Sequence, residues 1–492
     1  MTSLAFIQLK RTIFPSFQVS NPPDSTSNER QILDILNWIA LFFVRDPIGD
    51  CVASALFVEK HKITLYLAAN RGRPDDKDVQ NGNKLISVFC QALREPQSRE
   101  RFKLLLHSAL SITYLRFYHK LDMIKNMRFP LRKIDSSTPA VPPIEMFEKL
   151  ITKWTEANGV EQNQELIKSA HAATIELGTY EPGEEGINAL KAFFDHFVEK
   201  IPSQSDFIDQ KKGSFWGGFC LYALLLVNSD FFSRVVPNDV EAGNFFNVDE
   251  CNWLRKLERR LRCIANYRKN AWLIATTGMK WIRRILGDEF TEGGDCFEIV
   301  WVGLDPDTLP KNHGMKYEIK EGPQELFGKL LGQFGFKELD RNDEQSFMTD
   351  SDLGSLWSKP EPHCTADFVP FLHCELQLIS YLDLHNIQIH MNLIGVSKLM
   401  CWACNAYVEE LNKRRTFRKG PYVLSGTSGK AHHAWLIPPR PGVKEVVVEI
   451  IHNALEDAIS NLAVKFGHQR IHTGYDSDDD YDSDDDSRCR PQ

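Results

Sequence analysis

The stretch whose reading decides the fold is FLHCELQLISYLDLHNIQIHMNLIGVSKLMCWACNAYVEELN, residues 371–412. It carries His373 and Glu375 as H-x-E, then Cys401 and Cys404 as C-x-x-C. After Pro370, Leu376, Ile379 and Leu382 recur every third position, which predicts a helix with one buried stripe beginning at or near His373. Behind the cysteines, Tyr407, Val408 and Leu411 fall at helical spacing, so Cys401 and Cys404 belong to the first turn of a second helix. Between them IQIHMNLIGVS, rich in Ile and Val, reads as a core strand ending just before the C-x-x-C turn.

One imidazole and two thiolates are three of the four tetrahedral ligands zinc takes, and a catalytic zinc keeps the fourth position for water. Unpaired amides and the positive end of the helix dipole favour ionised thiols at a helix tip. Residues two apart point to opposite sides inside a helix, but at its tip both face one space, so His373 can bind metal while Glu375 stays free. A carboxylate so placed can move the protons of a metal-bound water, whose pKa zinc lowers toward ~7. Taken singly the motifs are weak: C-x-x-C also marks redox pairs and half-sites of structural zinc, and H-x-E is close to noise. Their joint occurrence at this distance, on these elements, points to a catalytic zinc site. Cys374 reads as a small buried filler, not a fourth ligand.

With GTSGKAHHAWLIPP at 426–439, the block FLHCELQL, IGVSKLMCWACNAYVEEL resembles the OTT-like deaminase family, a fungal branch of the cytidine deaminase-like superfamily of zinc-dependent nucleic-acid deaminases. It departs at Met400, where the superfamily usually has proline; proline there pre-sets a turn and is not a ligand. The resemblance implies an α/β fold, a cytidine deaminase-like three-layer sandwich in which helices flank a mixed sheet. It implies Zn2+ held by His373, Cys401 and Cys404, and hydrolysis of an exocyclic amine from cytosine or adenine with Glu375 as the catalytic proton shuttle. Ser397, four before Cys401, falls where some polynucleotide deaminases also carry serine.

Residues 51–70, CVASALFVEKHKITLYLAAN, read as two strands about a polar turn at 59–62. In the deaminase fold such a hairpin precedes the H-x-E helix, and LYLAANRG looks similar to a second strand ending in a substrate-contacting asparagine. Asn70 is then a base or ribose contact, or else a turn asparagine beside Gly72. The organisation that follows is a flexible segment 1–30, a helix and two strands over 31–72, a mainly helical insertion or second domain over 73–360, a catalytic core with a C-terminal helix over 361–470, and a disordered acidic tail over 471–492. Helical spacing within the insertion covers 85–93, 102–127, 144–154, 165–176, 187–198, 215–227 and 253–286, with breaks at Gly82, 136–143, 180–186 and 201–205.

Residues 253–284 interleave ten Lys and Arg with Trp253, Tyr267, Trp272 and Trp281. Basic residues track phosphates and aromatics stack on unpaired bases, but an amphipathic helix pair with buried tryptophans and a solvated basic face has the same pattern. Lys413, Arg414, Arg415 and Arg418 follow the metal helix directly and read as phosphate contacts at the rim of the site. Thr427, His432 and Trp435 read either as pocket-lining residues, with the tryptophan stacking on a base, or as a Gly/Pro-rich turn anchored by a buried tryptophan. The partner expected is single-stranded DNA or RNA, or a nucleoside. The alternatives are a catalytically idle relative whose zinc holds the fold while the helical segment binds a protein partner, and a defence or self-recognition module. The helix from Val443 to Phe466 is expected to pack on the sheet.

Eleven cysteines without framework spacing point to a reducing, intracellular setting, cytoplasmic or nuclear. No stretch reaches the ~18 apolar residues of a membrane span, so no membrane partner is expected. Of the net charge of −8, eight Asp and two Arg in 476–492 account for −6, leaving a nearly neutral body on which a basic patch is compatible with the overall balance. The acidic tail, with serines beside aspartates, is suited to phosphorylation and to restraining such a patch.

Overall fold

In a computed structural model, the structure describes residues 27–45, 50–59, 61–70, 74–129, 140–158, 187–203, 205–206, 213–229, 231–232, 246–287, 296–303, 317–319, 366–368, 371–416, 419–427 and 435–465. Arg418, His432, the stretch 165–176 and the acidic tail lie outside them.

The predicted hairpin forms. β1 (Val52–Glu59) and β2 (Lys62–Ala69) pair antiparallel from Val52 opposite Ala69 to Glu59 opposite Lys62. His61 takes a positive φ of 66° in the turn. β3 (Phe297–Trp301) runs parallel to β2, and β6 (Ile394–Val396) runs antiparallel to β1, so the four-stranded sheet is mixed, in the order β3-β2-β1-β6. β4 (Tyr317–Ile319) and β5 (Ala366–Phe368) form a separate antiparallel pair.

Twelve helices are described. α1 (Ser27–Phe42) precedes the hairpin; α2 (Asp76–Arg94), α3 (Ser98–Ile112), α4 (Tyr114–Lys125), α5 (Pro143–Asn158), α6 (Ile187–Glu199), α7 (Gly213–Val227), α8 (Val248–Leu273) and α9 (Met279–Leu286) follow it, with a π-helical turn, Ile274–Gly278, joining α8 to α9. α10 (Cys374–Leu384), α11 (Trp402–Arg414) and α12 (Val443–Lys465) complete the set. Among the described residues no helix is long and apolar enough to cross a membrane.

Strand alternation sorts these helices onto the two faces of the sheet. Ile35 and Ile39 of α1 share an apolar cluster with Leu56, Ile63 and Leu65, and Ser54 Oγ donates to the Leu36 carbonyl at 2.8 Å. On the opposite face the ring of Tyr381, in α10, lies 6.1 Å from that of Tyr66, and Gln377 Nε2 donates to Ala69 O at 3.3 Å. One buried apolar cluster continues from the α1 face through α2 to α9, so the helical stretch and this side of the sheet share a core.

Several expectations are corrected. The stretch 73–360 also supplies β3, whose FEIVW run of aromatic and β-branched residues is a strand signal amid helices. Gly82 lies inside α2 and does not break it; a Cβ there would stand 3.3 Å from Ile299 Cδ1, so the glycine lets α2 approach β3. The stretch 102–127 divides at Thr113, whose hydroxyl donates to Ala109 O at 2.8 Å and closes α3. The strand expected over 387–397 shrinks to β6, because His390–Asn392 form a 3-10 turn with Met391 and Asn392 at φ 53° and 56°. Among the described residues, α12 packs chiefly along α11. In the basic stretch, Trp253 and Tyr267 are buried in the core, and Arg262 pairs with Glu258.

α1 rests on β6 more closely than any side chain permits. A Cβ on Gly395 would come within 2.3 Å of the Leu36 carbonyl carbon and 2.5 Å of Asn37 N, both backbone atoms. Asn37 Oδ1 accepts the Val396 N–H at 2.8 Å, pinning the same contact. Gly395→Ala is therefore expected to destabilise the protein by about 3 kcal/mol, the upper part of the overpacking range. Urea unfolding checks this, and a loss below ~0.5 kcal/mol would show that α1 can move away freely.

Candidate metal centre

α10 begins at Cys374 with His373 as its N-cap in extended conformation, so H-x-E straddles a helix tip. α11 begins at Trp402 with Cys401 as its N-cap, and Cys401 Sγ accepts the Cys404 N–H at 3.3 Å. The two tips converge. The ligand atoms of His373, Cys401 and Cys404 all lie within 4.8 Å of one another, and Cys404 Sγ is 3.4 Å from His373 Nδ1. Zinc bonded at ~2.3 Å to sulfur and ~2.05 Å to nitrogen in a tetrahedron separates neighbouring ligand atoms by ~3.5–3.8 Å. The donor set therefore fits zinc.

The electrostatics of the three are linked. Burial lowers the His373 pKa, but the neighbouring Cys401 thiolate outweighs it and holds the imidazole at about 9. Burial pushes Cys401 up, yet hydrogen bonding from Cys404 and the charge of His373 bring it well below the usual thiol range. Cys404 is raised well above that range by burial and by its hydrogen bond with Cys401. Thiolate and neutral imidazole bind metal only once their protons are gone, so metal uptake by these three residues weakens as pH falls.

Glu375 is 3% exposed. Its Oε1 stands 3.9 Å from His373 Nδ1, and its Oε2 accepts from the Cys374 thiol at 3.2 Å. The carboxylate is thus beside the donor triad but outside it. Cys374 is buried, as a filler should be, yet it also grips the glutamate.

A second group stands next to the first: the ligand atoms of Cys51, Cys374 and Glu375 lie within 4.8 Å of one another. Cys51 carries no motif and was not legible as a site residue. It reaches the site because the hairpin opens against α10, and it brings two predicted residues with it. Asn70 Oδ1 accepts the Cys51 N–H at 2.9 Å, and Ser397 Oγ accepts the Val52 N–H at 2.9 Å while lying 3.5 Å from Cys51 Sγ. Both are held by the open end of the hairpin.

Thr427 is buried and donates to Met400 O at 3.1 Å, tying the loop after α11 to the residue before Cys401. Trp435 is 4% exposed, and its indole N–H donates to Cys404 Sγ at 3.2 Å. The tryptophan is spent on the cysteine sulfur rather than presented on an open surface for stacking. An outer donor of this kind orients a ligand and tunes its charge.

The phosphate-contact set reads differently in three dimensions. Thirteen residues of α11, at ~1.5 Å each, put its last turn ~20 Å from Cys401, so Lys413, Arg414 and Arg415 lie at the far end of this helix, not on the rim. Lys413 and Arg414 pair with Glu410 at 3.3 and 2.8 Å. The Arg415 side chain is 5% exposed, bonds Asp383 at 2.8 Å and lies over the Tyr422 ring at 3.8 Å. It ties α10 to α11 and is not available to a strand.

Residues 372–439 match the model of the OTT_1508-like deaminase family. The match supports an OTT-like deaminase domain in this chain. It covers His373, Glu375, Cys401, Cys404 and Trp435, so the deaminase-like segment holds the whole donor triad and the carboxylate. Cys51, Asn70 and the hairpin lie outside the matched segment but pack against it. No curated protein and no solved structure matches the chain.

Proposed function

We propose that the chain is a zinc-dependent hydrolytic deaminase that removes the exocyclic amine of cytosine or adenine, in single-stranded nucleic acid or a nucleoside. The observation that carries this reading is Glu375, a buried carboxylate 3.9 Å from His373 Nδ1 that is not one of the three converging ligands. A purely structural zinc site has no use for it.

In this reading His373, Cys401 and Cys404 hold the metal, which when bound acidifies a water. Glu375 would take one proton from the attacking water and give it to the ring nitrogen, then take the second from the added hydroxyl and give it to the departing amine, so water and an aminated base give a carbonyl base and ammonia. The Cys374 thiol fixes Oε2, which leaves Oε1 as the oxygen turned toward the donors. The Trp435 N–H draws negative charge from Cys404 and keeps its sulfur in place. A single strand or a free nucleoside suits a site so enclosed, because a base inside a duplex must first be extruded at a cost of a few kcal/mol.

The test incubates the zinc-loaded full chain with single-stranded DNA and RNA pools and with free cytidine and adenosine. C-to-U or A-to-I conversion, with ammonia released, is the expected result. Zinc-loaded protein that turns over none of the four would assign the centre to holding two helix tips together.

A further inference from the structure

The basic, aromatic stretch at the α8–α9 junction is only partly absorbed by the core. At this junction the π-helical turn Ile274–Gly278 inserts one residue into an otherwise continuous helix. One extra residue rotates every later side chain by ~100°, and such turns frequently occur at functional sites. Here the rotation carries Lys280, Trp281 and Arg284 round to the first turns of α1, where with Thr277 and Gln31 they line a cavity of about 240 Å³ floored by Ile35. Gly278 permits the approach, since a Cβ there would sit 3.2 Å from Ile35 Cδ1.

The lining has three kinds of chemistry. Lys280 and Arg284 are exposed, four apart on one helix face, and no acidic side chain lines the cavity among the described residues. The Trp281 ring is braced at 5.2 Å by His390, so it is a fixed aromatic surface. Gln31 and Thr277 add amide and hydroxyl groups beside it. Cations four apart suit a phosphate, a braced indole suits a planar ring, and amides read ring edges. The volume lies just under the ~300–1,000 Å³ of ligand pockets, enough for one base and its phosphate and not for a duplex.

The geometry points to a second, non-catalytic site that binds a nucleotide, with its phosphate on Lys280 and Arg284 and its base on Trp281. Met391 lines this cavity and Ser397 stands at the metal centre, with β6 between them. Six residues span at most ~21 Å, so the two sites lie within that distance along the strand. A single strand reaching both is held more tightly than a mononucleotide, by effective concentration alone. The mononucleotide interaction does not depend on the deaminase reading, because it needs neither Glu375 nor zinc.

Calorimetric titration of the full chain with a nucleoside 5′-monophosphate, its parent nucleoside, inorganic phosphate and a short single-stranded oligonucleotide tests this. The monophosphate is expected to bind more tightly than nucleoside or phosphate. Trp281→Leu should weaken it by roughly 5- to 150-fold, the range for a lost base stack. The exposed pair Lys280→Ala/Arg284→Ala, which cannot fail through the core, should weaken it and flatten its salt slope by up to about two contacts. Glu375→Gln should bind as wild type does, which separates this site from the metal centre. Tighter binding of the oligonucleotide assigns the ligand to a strand, and equal binding assigns it to a free nucleotide. Unchanged affinity in the double variant, phosphate binding as tightly as the nucleotide, or no binding of any nucleotide overturns the inference.

Discussion

Glu375→Gln is expected to keep the fold and a full complement of zinc while lowering deamination by ~10²–10⁴-fold. The amide has the shape of the carboxylate and still accepts from the Cys374 thiol, so the 3.2 Å contact that positions the side chain survives. What it loses is the ability to take a proton, and a shuttle without that step cannot protonate the ring nitrogen or the leaving amine. Because Glu375 is not among the three converging ligands, metal content should not follow activity. Metal analysis and turnover on the same preparation decide the matter. Loss of zinc together with activity would make Glu375 a ligand, and undiminished turnover would remove it from the mechanism.

Cys404→Ala is expected to reduce bound zinc from about one per chain to near zero and to abolish any rise in melting temperature on adding zinc. Removing an outer partner of a metal ligand typically costs 10–100-fold in affinity, so loss of a ligand itself should exceed ~100-fold. Cys404 also accepts the indole N–H of a tryptophan that is 4% exposed. Its removal strands that donor in the interior, a further penalty of ~1–3 kcal/mol. Trp435→Phe separates the two effects, since it keeps all three ligands and loses only the N–H. It should lie within the 10–100-fold range. Wild-type zinc content in Cys404→Ala would exclude this cluster as the metal centre.

The features readable from the chain were those whose physics is local. H-x-E and C-x-x-C could be assigned to helix tips because Leu376, Ile379 and Leu382 on one side and Tyr407, Val408 and Leu411 on the other mark the helices that follow, and the N-caps are indeed His373 and Cys401. The hairpin was equally plain, since two alternating runs need only a short turn. Misreadings came where packing or backbone conformation overrode pattern. Gly82 looks like a break until β3 is seen to need its missing side chain. The apolar run before β6 looks like strand until Met391 and Asn392 take positive φ.

Distance along the chain was the poorest guide. Lys413, Arg414 and Arg415 follow the metal ligands closely in sequence, yet a rigid helix holds them ~20 Å off and turns Arg415 inward onto Asp383. Cys51 is remote from Cys374 in sequence, yet the antiparallel pairing of β1 with β6 and the docking of α10 bring its sulfur to the same carboxylate. Ligand identity and helix register depend on neighbours within a turn or two, and so are written in the order of residues. Which wall the hairpin forms, where the cations end up, and that a π turn aims Trp281 at α1 depend on contacts between segments hundreds of residues apart, whose burial energies no single window of sequence contains.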